Sequence, residues 1–476
     1  YIYIFYFIWN VFSYFYAVNP TETLINLPRI GNTFFAIIFC FFLLSNLPNP
    51  LKFTLNVFFV FLFAEMVSYY YDLSEVYPKE GLRVIAIKGF AGNKNITAAS
   101  IAFKLPFAIF LFLNSKKLFF KILTFVVSTS AILAISLIEA RAAILSTIIV
   151  FIFLILFFIF KIFAEKKDIQ NNSLQISKLV SPYIVAFIIN LIATNTANDK
   201  YKKTDITETI GKIAFTEESS NGRFNYWGDA WKYIKENPVF ASGLGNWKIE
   251  SIDKGKEHIS GYTVPYHAHN DFIHVFAETG ILGGMAYLTL FILIFYYIIR
   301  IILEKYKHNK SLNFEFFILI LPFVVYIIDA LLNFPVARPL MQSSLAIYLG
   351  LILVKYSNLN DYEHKFHQNR ITSKIFLFVL FILIIPGLVI HILSFTSLTK
   401  QGRLLYEFNT ANYTYTIDEL DQISHDFPNL TETAMPIKAM KARYYYLKGQ
   451  KDKAYEMIDM GMKDNPKIFF AENLKA

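Results

Sequence analysis

Ala142-Ala143-Ile144-Leu145-Ser146-Thr147-Ile148-Ile149-Val150-Phe151-Ile152-Phe153-Leu154-Ile155-Leu156-Phe157-Phe158-Ile159-Phe160-Lys161-Ile162-Phe163 carries no charged side chain before Lys161. A helix of about 20 such residues crosses the ~30 Å hydrocarbon core of a bilayer at 1.5 Å per residue. Similar runs lie near Tyr1 to Ala17, Ile30 to Asn46, Leu51 to Tyr71, Thr97 to Leu113, Leu118 to Ile138 and Leu179 to Ala193. Four more follow, near Ile281 to Ile302, Phe314 to Leu332, Leu340 to Val354 and Ile375 to Phe395. A chain that is 55% hydrophobic and 18% aromatic therefore reads as an all-α, polytopic membrane helical bundle of about 11 or 12 spans.

The net charge of +9 follows the same pattern. Lys116, Lys117, Lys161, Lys166, Lys167, Lys178, Arg300, Lys305, Lys307, Lys310, Lys355 and Lys374 fall in connections on one side if the spans alternate, as the positive-inside rule requires of the cytoplasmic face. The excess is thus topology and not a nucleic-acid surface. The opposite side receives Asp72 to Asn95, the loop from Thr194 to His269, Asn333 to Pro339 and the tail after Ser397. Four regions result: membrane helices over 1–193, a large outward loop with the chemical motif over 194–280, further membrane helices over 281–396 and a helical tail over 397–476. The lone Cys40 excludes an internal disulfide framework. The chain opens at Tyr1, without methionine and inside an apolar run, so a preceding segment is expected.

The outward loop reads as folded. Asn225 to Glu236 has helical spacing with Phe224, Trp227, Trp231 and Ile234 on one face, Pro238 stops it, and Gly243-Leu244-Gly245-Asn246-Trp247 makes a turn. Next comes Pro265-Tyr266-His267-Ala268-His269-Asn270-Asp271-Phe272-Ile273-His274-Val275-Phe276-Ala277-Glu278-Thr279-Gly280. Asn270 caps a helix there, with Gly280 in a left-handed conformation ending it. His269 then stands at the positive helix end, where a proton is handled beside a bound anion. Arg141, at the outer end of a span, is either balanced by Glu139 and the interface or clamps an anion bidentately. Arg223 is misplaced at a helix N-terminus unless an anion is shared with it. Arg338 lies on the same outer side and serves equally well as a bend residue. His267, His269 and His274 are poorly spaced for zinc, so no metal is expected. Phosphate-loop, dinucleotide and nucleophile-elbow motifs are absent, which disfavours ATP-driven transport and serine hydrolysis.

Taken together, His269 and Asn270 with Gly280 and Gly283 resemble the ligase-type pattern of the O-antigen ligase and O-antigen polymerase superfamily of bacterial membrane glycosyltransferases. Asn93-Lys94-Asn95, Glu139-Ala140-Arg141-Ala142, Arg223-Phe224-Asn225-Tyr226-Trp227, Asn237-Pro238, and Asn333-Phe334-Pro335 with Arg338-Pro339 support the resemblance over most of the membrane region. Glu139 departs from it, since relatives often carry a small polar residue there. The resemblance implies an inner-membrane enzyme, with its active site facing the periplasm, that moves a glycan from undecaprenyl diphosphate to an acceptor hydroxyl. No nucleotide sugar, cofactor or metal is implied. His269 is then the base or orienter, Arg141 and Arg223 stabilise the diphosphate leaving group, and Arg338, Asn270 and His267 line the substrate. Direct displacement inverts the anomeric centre, because no covalent nucleophile stands out. The acceptor is expected to be a lipid A core. A growing glycan or a protein hydroxyl is the alternative, and a transporter or flippase the alternative of another class. His274→Ala is expected to be mild. Pro436 to Leu447 and Lys453 to Lys463 resemble one tetratricopeptide-type hairpin, which must pack on the membrane domain or on a neighbour, or continue beyond Ala476. It is the expected docking point for a protein partner.

Overall fold

The computed structural model describes residues 1–80, 89–166, 169–196, 222–257, 266–359 and 370–476, and within them it is helical with no β-strand. Helices α1 (Ile2–Phe12), α2 (Pro20–Ser45), α3 (Pro50–Glu80), α4 (Lys94–Asn114), α5 (Leu118–Ile138), α6 (Arg141–Phe163) and α7 (Ile169–Thr196) precede the large loop. The described loop contributes α8 (Arg223–Glu236) and α9 (Trp247–Lys254). After it come α10 (Asp271–Asn309), α11 (Phe314–Phe317), α12 (Ile320–Leu332), α13 (Pro339–Ser357) and α14 (Arg370–Thr410). The tail adds α15 (Ile417–Asp421), α16 (Ile437–Leu447), α17 (Lys451–Asp464) and α18 (Phe470–Lys475).

Among the described residues, 9 helices are long and apolar enough to cross a membrane, so the protein is a multi-pass membrane protein. Two apolar runs fall outside that set. The first is short: α1 breaks into a 3₁₀ turn at Ser13–Phe15, and α2 begins at Pro20, ten residues before the apolar run. Its polar first turns are buried all the same, with Glu22 and Thr23 inside the protein. The other, Ile375 to Phe395, lies in α14, part of whose side chains is outside the described residues.

The chain divides into two compact units: residues 36–219 with 292–370, and residues 1–35, 220–291 and 371–476. The first unit is built around α4, which is buried along nearly its whole length. Phe58 of α3 stacks on Phe107 at 4.7 Å, and Phe103 meets Tyr348 of α13 edge-on at 5.8 Å. Lys104, a cation in its core, is 1% exposed and lies 2.9 Å from Glu65 Oε1, which also accepts from Ser100 Oγ at 2.6 Å. An unpaired charge at that depth is strongly disfavoured, so the pair fixes α4 against α3. By contrast α6 presents Ile152, Leu156, Phe160 and Phe163 outward, as a lipid-facing helix does.

In the second unit the tail builds its own core from Leu404, Ile423, Ile437, Met440, Tyr444, Tyr445, Met457 and Ile458. Helices α16 and α17 are joined by a turn at Gly449 (φ +83), and α17 stops at Asn465. The pair packs within the chain. Asn19, just ahead of α2, donates from Nδ2 to Asn429 Oδ1 (3.0 Å) and to the Asp464 carbonyl (2.9 Å), while its own N–H donates to Asn246 Oδ1 (2.7 Å). Lys467 reaches Glu250 and Asp253 of α9, each at 3.6 Å. The tail is therefore pinned to the loop that carries the histidine motif.

Candidate active site

The loop helix α8 starts at Gly222, whose φ of +77 suits a glycine, so Arg223 occupies its first turn. Its buried residues are Ala230, Tyr233 and Ile234, with Tyr233 packed on Trp247 at 5.7 Å. Trp231, expected on that face, is 52% exposed instead. The apolar spacing admitted either stripe, and the fully buried Trp247 decides in favour of the one it can reach.

Asn270 caps α10 as expected, its Oδ1 accepting from the Ile273 N–H at 3.1 Å. His269 before it takes φ +53, a left-handed conformation that costs a residue with a side chain ~1–2 kcal/mol. Buried Ala268 and Asn270 hold it from both sides. The turn sends the two histidines different ways. His269 stacks on Tyr226 of α8, with ring centroids 6.0 Å apart and 24° between planes, and Tyr226 follows Arg223 by three residues on one helix face. His267 packs instead on His274, 5.1 Å between centroids. Arg223, His267, His269 and Asn270 thus border one region of the second unit.

Gly280 does not end a helix. Its φ of +65 and ψ of −167 are open to glycine alone, and they kink α10, which continues to Asn309. The motif helix and the span expected from Ile281 are one bent element. The bend frees backbone groups, which find partners in α1 and in residues 238–243. Ile281 N–H donates to the Pro238 carbonyl (2.8 Å), while the Ala277, Glu278 and Thr279 carbonyls accept from Ser242 N–H (3.2 Å), Gly243 N–H (2.8 Å) and Trp9 Nε1–H (2.7 Å). A Cβ at Gly280 would lie 2.1 Å from the Val239 carbonyl oxygen, and one at Gly283 2.8 Å from Trp9. Close approach is the reason for both glycines of the motif.

Within the kinked turn, Glu278 and His274 are each 3% exposed in their side chains, with Nε2 of the imidazole 3.3 Å from Oε1 of the carboxylate. The same carboxylate accepts from the backbone of Gly245 and lies 3.5 Å from the Trp247 N–H. This pair was missed in the sequence, although its i, i+4 spacing was visible. Arg29 was missed too: it is half-buried in α2 and within electrostatic reach of Tyr3, Tyr6 and Glu278.

Arg141 and Arg338 belong to the other unit. Glu139 closes α5 at φ +57, Ala140 is extended, and Arg141 opens α6, so a two-residue turn presents the guanidinium at the helix start. Phe157 of α6 contacts Phe314 and Phe317 at 5.1 and 4.7 Å, and α12 packs back along α6. The segment after α12 therefore returns to the Arg141 end. There the Arg338 guanidinium lies 4.3 Å over the Phe334 ring, and Gln342 donates to the Pro335 carbonyl (3.0 Å) and to Tyr326 Oη (2.8 Å). Among the described residues, no group of three His, Cys, Asp or Glu side chains is arranged to hold a metal.

Residues 126–288 match the family described as O-antigen ligase. The stretch runs from within α5 to beyond the α10 kink and contains Arg141, Arg223, His267, His269, Asn270, Gly280 and Gly283, but neither Arg338 nor the tail. No curated protein matches the chain.

Proposed function

We propose, from the premise that a chain with an O-antigen ligase domain is a membrane glycosyltransferase of the ligase and polymerase type, that this protein transfers a glycan from undecaprenyl diphosphate to an acceptor hydroxyl. The acceptor in this reading is a lipid A core, and transfer occurs at the periplasmic face of the inner membrane, opposite the lysine-rich connections. The observation that carries it is the capped, left-handed His269 turn stacked on the Arg223 helix inside the matched region.

In this mechanism the imidazole of His269 accepts or orients the proton of the acceptor hydroxyl. The acceptor oxygen bonds to the anomeric carbon as the bond from that carbon to the phosphate oxygen breaks, and the electron pair leaves with the diphosphate. The configuration inverts. Arg141 and Arg223 stabilise the charge that develops on the leaving group, and Arg338, Asn270 and His267 line the substrate. The roles of Arg141 and Arg338 rest on their motifs. No metal takes part in the reading.

Purified protein in nanodiscs, incubated with a lipid-diphosphate glycan and separately with a lipid A core, a glycan and a hydroxyl-bearing protein, tests it. Glycan on the lipid A core supports ligation. Glycan on either other acceptor moves the assignment to a polymerase or a protein glycosylating enzyme, and no transfer to any of them removes it.

A further inference from the structure

Glu278 is a carboxylate placed where a membrane protein rarely puts one without a use. It is shut off from solvent at the kink of α10, yet it spends its oxygens on the His274 imidazole, the Gly245 backbone and the Trp247 N–H. The neighbouring imidazole matters most. A carboxylate facing Nε2 at 3.3 Å holds the proton on that nitrogen, which leaves Nδ1 of His274 as the bare one. The His274 ring in turn is the surface on which His267 packs, two residues before His269.

We propose that Glu278 and His274 are positioning residues of the transfer site, acting through His267: they hold the His267–Asn270 turn in its strained conformation and supply a buried negative charge to the imidazolium formed there. The inference rests on the transfer reaction proposed above. His269 at φ +53 has no intrinsic reason to stay left-handed, and the ring contact of His267 with a fixed His274 is one anchor that keeps it so. A proton on His267 adds a cation in ring contact with His274, the partner of Glu278. Among the described residues, the other charged and titratable groups facing Glu278 are Arg29 on α2, Tyr6 on α1 and Tyr16 after it, with Asp271 at the start of α10 near Tyr6. Of these only Asp271 adds a second negative charge. The assignment reverses the expectation that loss of His274 is mild.

Glu278→Gln keeps size and removes the charge. Its kcat is expected to fall about 10- to 100-fold with the KM for the lipid-linked donor unchanged, as for other partners that orient a catalytic imidazole. The acidic limb of the pH–rate profile, which reports protonation of the turn, should move to lower pH by roughly one unit, because a nearby carboxylate favours the protonated form. A purely structural tether would lower kcat and leave the limb in place, and that result overturns the charge role. Normal kcat overturns the proposal outright. Nitrogen NMR of histidine-labelled protein in nanodiscs decides the pairing without any activity: His274 should carry its proton on Nε2 in the wild type and lose that preference in Glu278→Gln. A proton on Nδ1 in the wild type sinks the proposal. If the wild type transfers glycan to no acceptor while the NMR result holds, the transfer reading fails and the pairing stands. Should Glu278→Gln fail to accumulate, His274→Gln takes its place in the kinetic arm with the same fall in kcat expected.

Discussion

Glu65 and Glu278 are both buried carboxylates, and they are buried differently. Glu65 faces Lys104 on another helix, and the contact joins α3 to α4 in its unit. Glu278 faces His274 four residues earlier on its own helix, at a kink, beside a turn that bears two further histidines. The first arrangement is closed: Glu65 and Lys104 meet each other and Ser100 and tie two helices together. The second pair joins no two helices and leaves the imidazole ring in contact with His267 of the turn. A membrane protein thus separates charge that holds helices together from charge placed beside a reactive turn, and the neighbours of the pair tell which is which.

The comparison breaks most severely if the kink is not obligatory. Gly280→Ala is expected to yield little assembled protein or none, since the new methyl meets a backbone oxygen at 2.1 Å in a conformation alanine avoids. Gly402→Ala, where the added methyl meets nothing within 4 Å, is the control and should leave the melting temperature unchanged or slightly raised. A Gly280→Ala protein that elutes and melts like the wild type would remove the bent helix from the argument.

Next in size is the closed pair. Lys104→Met leaves Glu65 buried without its cation and should destabilise the unit by about 3–5 kcal/mol, whereas the double variant Glu65→Gln/Lys104→Met should recover most of that loss. Thermal melting in detergent reads both. A double variant as unstable as the single one would mean that the pair does more than fix two helices.

The site residues should behave in the opposite manner, with rate lost and stability kept. Arg223→Ala, Arg141→Ala and His269→Ala are each expected to slow glycan transfer by about 10²–10³-fold at an unchanged melting temperature, with only partial rescue by Arg→Lys. His269→Ala should retain donor binding. A His269 variant that loses donor binding and transfer together would deny it the proton-handling role.

The smallest effect lies in the tail, outside the membrane. Hydrogen bonds from Thr414 and Arg403 hold the Glu407 carboxyl down at about 2, against burial that acts the other way. That contribution is complete above the ordinary carboxylate range and is lost as pH falls towards 2. Burial brings the Lys441 ammonium down to about 8, so the unfolded tail binds the extra proton between there and the ordinary lysine range. Tail stability should therefore rise with pH across that alkaline window. Hydrogen exchange of the α16 and α17 amides checks both limbs, and protection that falls between pH 8 and 10 would contradict the second.

Much of the fold was legible because lipid imposes a single rule, and α5 and α6 begin and end within a residue of their apolar runs. Where protein replaces lipid as the neighbour the rule fails. The first turns of α2 are polar yet buried, and the stripe of α8 turns away from Trp231 because Trp247 lies elsewhere. Within the site, the cap at Asn270 was readable from local chemistry, and so was the place of His269 beside it. The kink was not, since the Val239 carbonyl that demands a glycine lies 41 residues away in sequence and only the folded loop brings it near. The Glu278 and His274 spacing was in plain view, but nothing local distinguishes it from a solvent-exposed helix pair until its burial is known.

The asparagine ahead of α2 has a consequence for synthesis. Asn19 is made well before its partners: Asp464 comes 445 residues later, and Asn429 410 residues later. At ~5–20 residues per second, that carbonyl reaches the ribosome's exit roughly 20–90 seconds after its mate. During that interval the membrane helices can insert and pair with their neighbours, but the cluster of Asn19, Asn246, Asn429 and Asp464 stays open. The histidine loop is therefore clamped by the tail only after Asp464 has been made, and a ribosome halted before that residue leaves a protein inserted but unlatched.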